Sequence, residues 1–221
     1  MCSYIIYHPT RTVSDFDGQR VHYDSPHDNQ DPYIWNEQFL HTYCHITQMS
    51  PQVGDINFWV SSHNLRQFTQ LFCDLVFVVA HKIYWQASNK IRRNDRLVDS
   101  PDAFGDHYRW AMYQHPLKVR RRYTLKADPV RSFQPQNPDG SLIDIVPFLE
   151  SQNVTLAELR HGLRAGFNSK PMRMSEDLSV KLYDWLNDQA AIKLTGSQLW
   201  AIRQENPQLA SPSPAQEQRP C

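Results

Sequence analysis

Asn57 and Trp59 stand two residues apart in the segment Ile56-Asn57-Phe58-Trp59-Val60. An amide and an indole on one face can hydrogen-bond the edge of a nucleobase and stack on its plane. If that face is instead covered by a helix, Trp59 is core. Further on, Asp106, His107 and Tyr108 follow one another after Phe104-Gly105, with Trp110 nearby. Sequence neighbours seldom face each other, so Asp106 and His107 are not a catalytic dyad by adjacency alone. A loop turned by Gly105 can carry all three side chains to a pocket mouth, or it can be a structural turn.

Two basic runs add phosphate chemistry. One holds Lys90, Arg92, Arg93 and Arg96; the other holds Lys118, Arg120, Arg121, Arg122 and Lys126, with Tyr123 inside it. Either run can follow a phosphate backbone, and either can be solvated surface. The chain as a whole is neutral, with 23 basic and 23 acidic residues, which argues against binding by bulk charge.

Metal and nucleophile chemistry have weaker footings. His41, Cys44 and His45 cluster, but a zinc site would need further ligands from a distance, such as Cys73 or His81. Scattered core or surface positions account for them better, and no metal or cofactor is expected. Cys2, freed by removal of Met1, can act as an N-terminal nucleophile with its own amine as base, or it can open a buried strand. Asp55 either accepts a ligand hydrogen bond or closes the turn that follows Gly54.

The elements that position these residues follow from pattern. Tyr4-Ile5-Ile6-Tyr7 predicts a strand. A hairpin around Asp17-Gly18 joins Val13 to Val21 inside a long loop over 8–32. Leu40 to Gln48 reads as a strand, though Phe39-Leu40 could end a short helix begun at Pro32, and Ser50 to Asp55 reads as a turn. Ile56, Phe58 and Val60 alternate with Asn57 and Trp59, as a strand requires. The run Leu75 to Ala80 does not alternate, so both its faces should be buried. Val119–Leu125 and Leu142–Val146 are further strands, and the remainder is helical.

Thr155 and Thr195 each begin a capping-box spacing, and Ser175 can cap a helix whose buried face is Leu178, Leu182, Trp185 and Leu186. The last two helices place Trp185 and Trp200 for mutual packing. They can mimic a helix-turn-helix or offer a protein partner a docking face.

The three motifs occur in one order. They are Cys44 to Ser62 (CHITQMSPQVGDINFWVSS), Leu75 to Trp85 (LVFVVAHKIYW) and Ala103 to Tyr108 (AFGDHY). In that order the chain resembles the nucleotide modification associated domain 2 family. The resemblance covers Cys44 to Tyr108, under half the chain. It implies association with modified DNA bases in phages and bacteria, and a fold of the PUA-like barrel type.

The fold class expected is α+β: a small PUA-like mixed β-barrel over 1–146, a helical extension over 147–206 packed on it, and a disordered tail over 207–221. At 221 residues the chain can bury a substantial core. There is no signal-peptide pattern, and nothing approaches the roughly 18 apolar residues of a membrane span. With few, scattered cysteines, a cytoplasmic setting with reduced thiols and no membrane partner is expected.

The function expected is a nucleic-acid- or nucleotide-binding module. Asn57, Trp59, Asp106, His107 and Tyr108 would line its pocket, and Arg92, Arg93, Lys118, Arg120, Arg121 and Arg122 would contact phosphates. The alternatives are an enzyme on a nucleotide or nucleic acid, using His107 with Asp106 or Cys2, and an interaction protein working through its C-terminal helices.

Overall fold

A computed structural model describes residues 3–7, 11–23, 34–35, 41–42, 51–64, 66–84, 123–163 and 171–209, with backbone alone at 41–42, 83–84 and 123–124. The strands are β1 (Ser3–Tyr7), β2 (Thr12–Phe16), β3 (Gln19–Tyr23), β4 (His41–Thr42), β5 (Ile56–Ser61), β6 (Phe72–Tyr84), β7 (Tyr123–Ala127), β8 (Phe133–Gln136), β9 (Met172–Met174) and β10 (Ile192–Thr195). The helices are α1 (Val146–Ser151), α2 (Leu156–Gly162), α3 (Glu176–Gln189) and α4 (Gly196–Glu205), with a 3-10 turn at Pro207–Leu209. The fold is α+β. Among the described residues no helix is long and apolar enough to cross a membrane.

One sheet runs in the order β10-β8-β6-β5-β1-β9, with β7 paired to β6 and β4 to β7. β1 is parallel to β5, and the other pairings are antiparallel. Among the described residues the path ends at β9 and β10 without closing on itself.

The hairpin forms as its turn residues require. Asp17 and Gly18 both take positive φ, 49° and 82°, which matches the strand twist in a two-residue connection. The Asp15 carboxylate accepts the Gly18 N–H at 2.8 Å and fastens that turn. β6 is long because it serves two neighbours on one edge: β8 meets it at Val76 and β7 from Val79 onward.

Both faces of the sheet are covered. Ile5, Phe58, Val60, Val76 and Val78 pack with Leu149 of α1, Leu159 of α2 and Leu182 and Leu186 of α3. This is the helix side. Tyr4, Ile6, Trp59, Leu75, Phe77 and Val79 pack with Val21 and Tyr23 of the hairpin, Trp35, and Leu199 and Ile202 of α4. This is the hairpin side. Burial of both faces explains why the centre of β6 reads as an unbroken apolar run.

The helix starts follow their caps. Thr155 accepts the Glu158 N–H at 3.2 Å while the Glu158 carboxylate accepts the Thr155 N–H at 2.7 Å. Those bonds from Thr155 hold the Glu158 carboxyl below its usual range. Thr195 and Gln198 repeat the box at α4, and Ser175 caps α3 with Glu176 and Asp177 in its first turn.

Four expectations need correction. Leu142 to Val146 is not a strand: Leu142 and Asp144 make single bridges, and α1 begins at Val146. The Asp144 carboxylate takes the N–H groups of Leu71 and Val146, and Pro147 has no N–H to extend a ladder. Secondly, 147–206 is not purely helical, because β9 and β10 join the sheet there. Both are short, and Met-Arg-Met carries little strand signal.

Thirdly, Trp185 and Trp200 do not pack together. Trp185 stacks on Phe148 on the helix side, with centroids 5.0 Å apart, whereas Trp200 packs on the hairpin side beneath the Arg203 guanidinium. Lastly, the strand expected at Val119–Leu125 runs from Tyr123 to Ala127, and 119–122 lie outside the described residues.

Candidate functional site

β5 is an interior strand, flanked by β1 and β6. Asn57 lies level with Tyr4 on one side and Phe77 on the other; Trp59 lies level with Ile6 and Leu75. The alternation of β5 turns both toward the hairpin side, as the sequence predicts. Trp59 is fully buried in the aromatic and aliphatic cluster there, so its ring is core, covered by the hairpin, Trp35 and α4. Asn57 is 0% exposed, and neither its Nδ2 nor its Oδ1 has a hydrogen-bond partner. Such groups are rare, since roughly 90% or more of buried polar groups are satisfied, and each one left unmade costs about 1–3 kcal/mol.

The far end of the same face is polar and largely satisfied, Gln136 Oε1 being a buried atom there without a partner. Trp59 pairs with Leu75, but the next residue, Val60, pairs with Cys73, so Asp74 is the extra residue of a β-bulge. Bulges re-aim side chains. Here Cys73 joins Val60 on the helix side, and Asp74 reaches hairpin-side partners. The Ser61 hydroxyl donates to one Asp74 oxygen at 2.7 Å, and Arg11 Nε donates to the other at 3.3 Å. The Arg11 and Asp74 side chains are each 3% exposed, so the ion pair is buried.

Glutamine side chains then fasten the hairpin. Gln134 Nε2 donates to the Asp74 carbonyl and to the His22 carbonyl, while its Oε1 accepts the His22 N–H at 2.9 Å. One side-chain amide thus stands in for the edge of a neighbouring strand. Gln136 Nε2 donates to the Arg20 carbonyl at 2.6 Å. His22 Nε2 lies 2.8 Å from the Gly140 carbonyl, which can only accept, so that nitrogen carries a proton. Burial is the main cause lowering the His22 pKa; the Gly140 carbonyl opposes it and Arg20 adds to it.

Asp55 takes its turn-closing role. Its carboxylate accepts the Gln52 N–H at 2.7 Å, beside Gly54 at φ +93°. Cys73 and His81 do not converge. They sit eight residues apart on β6, roughly 26 Å along a strand. Burial raises the Cys73 thiol pKa well above 9.0, leaving it a poor nucleophile. Among the described residues no group of three or more His, Cys, Asp or Glu is placed to hold a metal ion.

Of the residues singled out in the sequence, Asn57 and Trp59 are brought together on one face. Asp106, His107, Tyr108, Arg92, Arg93, Lys118, Arg120, Arg121, Arg122 and Cys2 lie outside the described residues, as do Cys44, His45 and the His41 side chain. Sequence reasoning missed Trp35, Arg11, Asp74 and Gln134. Asp74 had a signal: it is a carboxylate within the apolar stretch Leu71 to Ala80, and a buried charge demands a partner. Arg11 and Trp35 had none, because nothing local tells which sheet face a loop residue will cover.

Among the described residues, then, the hairpin side offers an amide with unused donor and acceptor capacity set among aromatic rings. That arrangement can bind a flat polar group; it holds no activated nucleophile. No family model, curated protein or solved structure matches the chain, so the chemistry of this face is argued from its own residues.

Proposed function

We propose that this chain is a binding module for a nucleobase or nucleotide, with the hairpin side of the sheet as its recognition face. One observation carries the reading: Asn57 keeps both halves of its amide unpaired at 0% exposure, beside Trp59 on an interior strand. A protein gains stability by filling such a position with Leu, so the amide's presence there is explained by a ligand that pairs with it. A base offers an adjacent donor and acceptor on one edge and a π-face for aromatic neighbours.

The resemblance of Cys44 to Tyr108 to the nucleotide modification associated domain 2 family supports the same reading. It brings with it the PUA-like barrel, a link to DNA modification or phage defence, and a cytoplasmic setting. Asp106, His107 and Tyr108 would complete the pocket mouth. Arg92, Arg93, Lys118, Arg120, Arg121 and Arg122 would contact phosphates, giving salt-sensitive affinity.

The test is a thermal-shift panel of nucleosides, modified nucleosides, nucleotides and short single-stranded DNA and RNA at two salt concentrations. A ligand at a hundredfold its Kd stabilises by about 2.7 kcal/mol, a readily measured shift. The expected result is stabilisation by one base type that Asn57→Leu abolishes. A flat panel, or a shift indifferent to Asn57→Leu, overturns the reading.

A further inference from the structure

The hairpin side holds a second buried polar group without a partner. Trp35 is 1% exposed, and its indole Nε1–H has no hydrogen-bond acceptor. Phe16 and Tyr23 meet its ring edge-on, with centroids 5.8 and 5.2 Å away. Those contacts fix the indole plane and leave its one polar atom unserved. Trp35 belongs to the same continuous cluster as Trp59, Tyr4 and Phe77, the last two being the residues that flank Asn57.

Buried indoles ordinarily find a partner for the N–H. Asn57 and Trp35 are thus both buried polar groups without a partner. Two on one cluster, of complementary kinds, are better explained by a common occupant. Asn57 supplies a donor and an acceptor; Trp35 supplies a lone donor.

The charges nearby limit what that occupant can be. Of the buried charged side chains described, Arg11 and Asp74 hold each other, and Asp55 is tied to the turn at Gln52. Lys126 lies between Leu125 and Ala127, which face the hairpin side, so alternation points it the other way. Among the described residues Arg203, over the Trp200 ring packed against this cluster, keeps a buried Nε without a partner, so a phosphate is better placed beside that guanidinium than inside the cluster, where it would lose its hydration.

We infer that Trp35 is a second ligand-contacting residue. The group that enters is a neutral, unpaired base that presents a donor–acceptor edge to Asn57 and a separate acceptor to Trp35 Nε1. The sugar and phosphates stay outside the cluster. The inference rests on the base-binding reading, and it narrows the ligand to one carrying three polar contacts of defined kind.

The experiment is indole N–H spectroscopy on the ¹⁵N-labelled full chain. There are six Trp, hence six indole signals, and Trp35→Phe identifies the one that matters. The probes are adenosine, guanosine, cytidine, uridine and thymidine, each also as its 5′-monophosphate. The expected result is a downfield shift of the Trp35 indole proton on binding. Trp35→Phe should weaken the same probe about tenfold or more, because the ligand's acceptor is then buried without its donor. The monophosphate should gain nothing that depends on Trp35.

Suppose a probe binds in an Asn57-dependent way while the Trp35 signal stays still. The indole N–H is then held against a neighbouring ring, and this inference falls while the base-binding reading stands. Should neither these probes nor the modified nucleosides and oligonucleotides of the thermal-shift panel bind, both fall together. If Trp35→Phe does not fold, the wild-type signal is assigned instead through its through-space contacts with the Phe16 and Tyr23 rings, and its shift still decides the matter.

Discussion

The two faces of the central sheet are built to different rules. The helix side is apolar throughout its centre: Ile5, Phe58, Val60, Val76 and Val78 meet leucines from three helices. The hairpin side is just as buried, yet it carries Asn57, Ser61, Asp74, Gln134 and Gln136 in or beside its cluster. Strand alternation alone separates the two, since Asn57 and Phe58 are neighbours in the chain. A face made only for stability would resemble the helix side. The hairpin side accepts desolvated polar groups, satisfies most of those around Asp74, and leaves both halves of the Asn57 amide open.

The largest effect expected is from Asp74→Ala. Removing the carboxylate takes away the counter-charge that Asp74 gives the buried Arg11, and breaking a buried pair in this way costs about 3–5 kcal/mol. Urea unfolding measures it. A loss below about 1 kcal/mol, the range of an exposed pair, would mean the hairpin side is wetter than its burial implies.

Leu182→Ala on the helix side should cost about 2–5 kcal/mol through the cavity it leaves. It should spare any ligand-induced thermal shift once measured relative to its own baseline. If it instead abolishes that shift, the division of labour between faces is wrong.

Asn57→Leu should move stability the other way. It exchanges an unpaired amide for a side chain of similar size, which should raise stability by about 1–3 kcal/mol while removing ligand response. An unchanged or lowered urea midpoint would show that the amide is already satisfied in solution.

Thr155→Ala lies outside both faces and calibrates the scale. Loss of that cap should cost about 1 kcal/mol with no change in binding.

The smallest effect is that of pH on the hairpin. The His22 pKa is lowered in the folded state from its usual 6.5, so protonation favours the unfolded chain. Its contribution is therefore fully present above pH 6.5 and is lost as the pH falls through the lowered folded value. A shallower decline in His22→Gln than in the parent chain, followed by urea midpoints, checks the sign.

Much of this was legible before any coordinates. The turn at Asp17-Gly18, the alternation of β5, the burial of β6 and all three helix caps are local signals, each set by residues within a few positions of one another. Asn57 and Trp59 were legible for the same reason. What escaped was nonlocal. β9 and β10 are strands because β1 and β8 offer them free edges, not because Met-Arg-Met or Ile-Lys-Leu-Thr insists on it. Trp185 and Trp200 share an apolar signature, and only the sheet between them assigns one to each side. Trp35 and Arg11 acquire meaning from a surface that the chain composes elsewhere.

The placement of β1 bears on how the molecule is made. One edge of β1 pairs with β5, whose residues follow about fifty positions later; the other pairs Ser3 with Met174. At translation rates of roughly 5–20 residues per second, that second edge waits on the order of 10–30 s for its partner to be synthesised. During that interval Tyr4-Ile5-Ile6-Tyr7 presents an apolar strand with an unsatisfied backbone, a template for pairing with other chains. The nascent protein should therefore lean on chaperones more than its finished form suggests, and synonymous slowing of translation between β5 and β9 should lower its soluble yield.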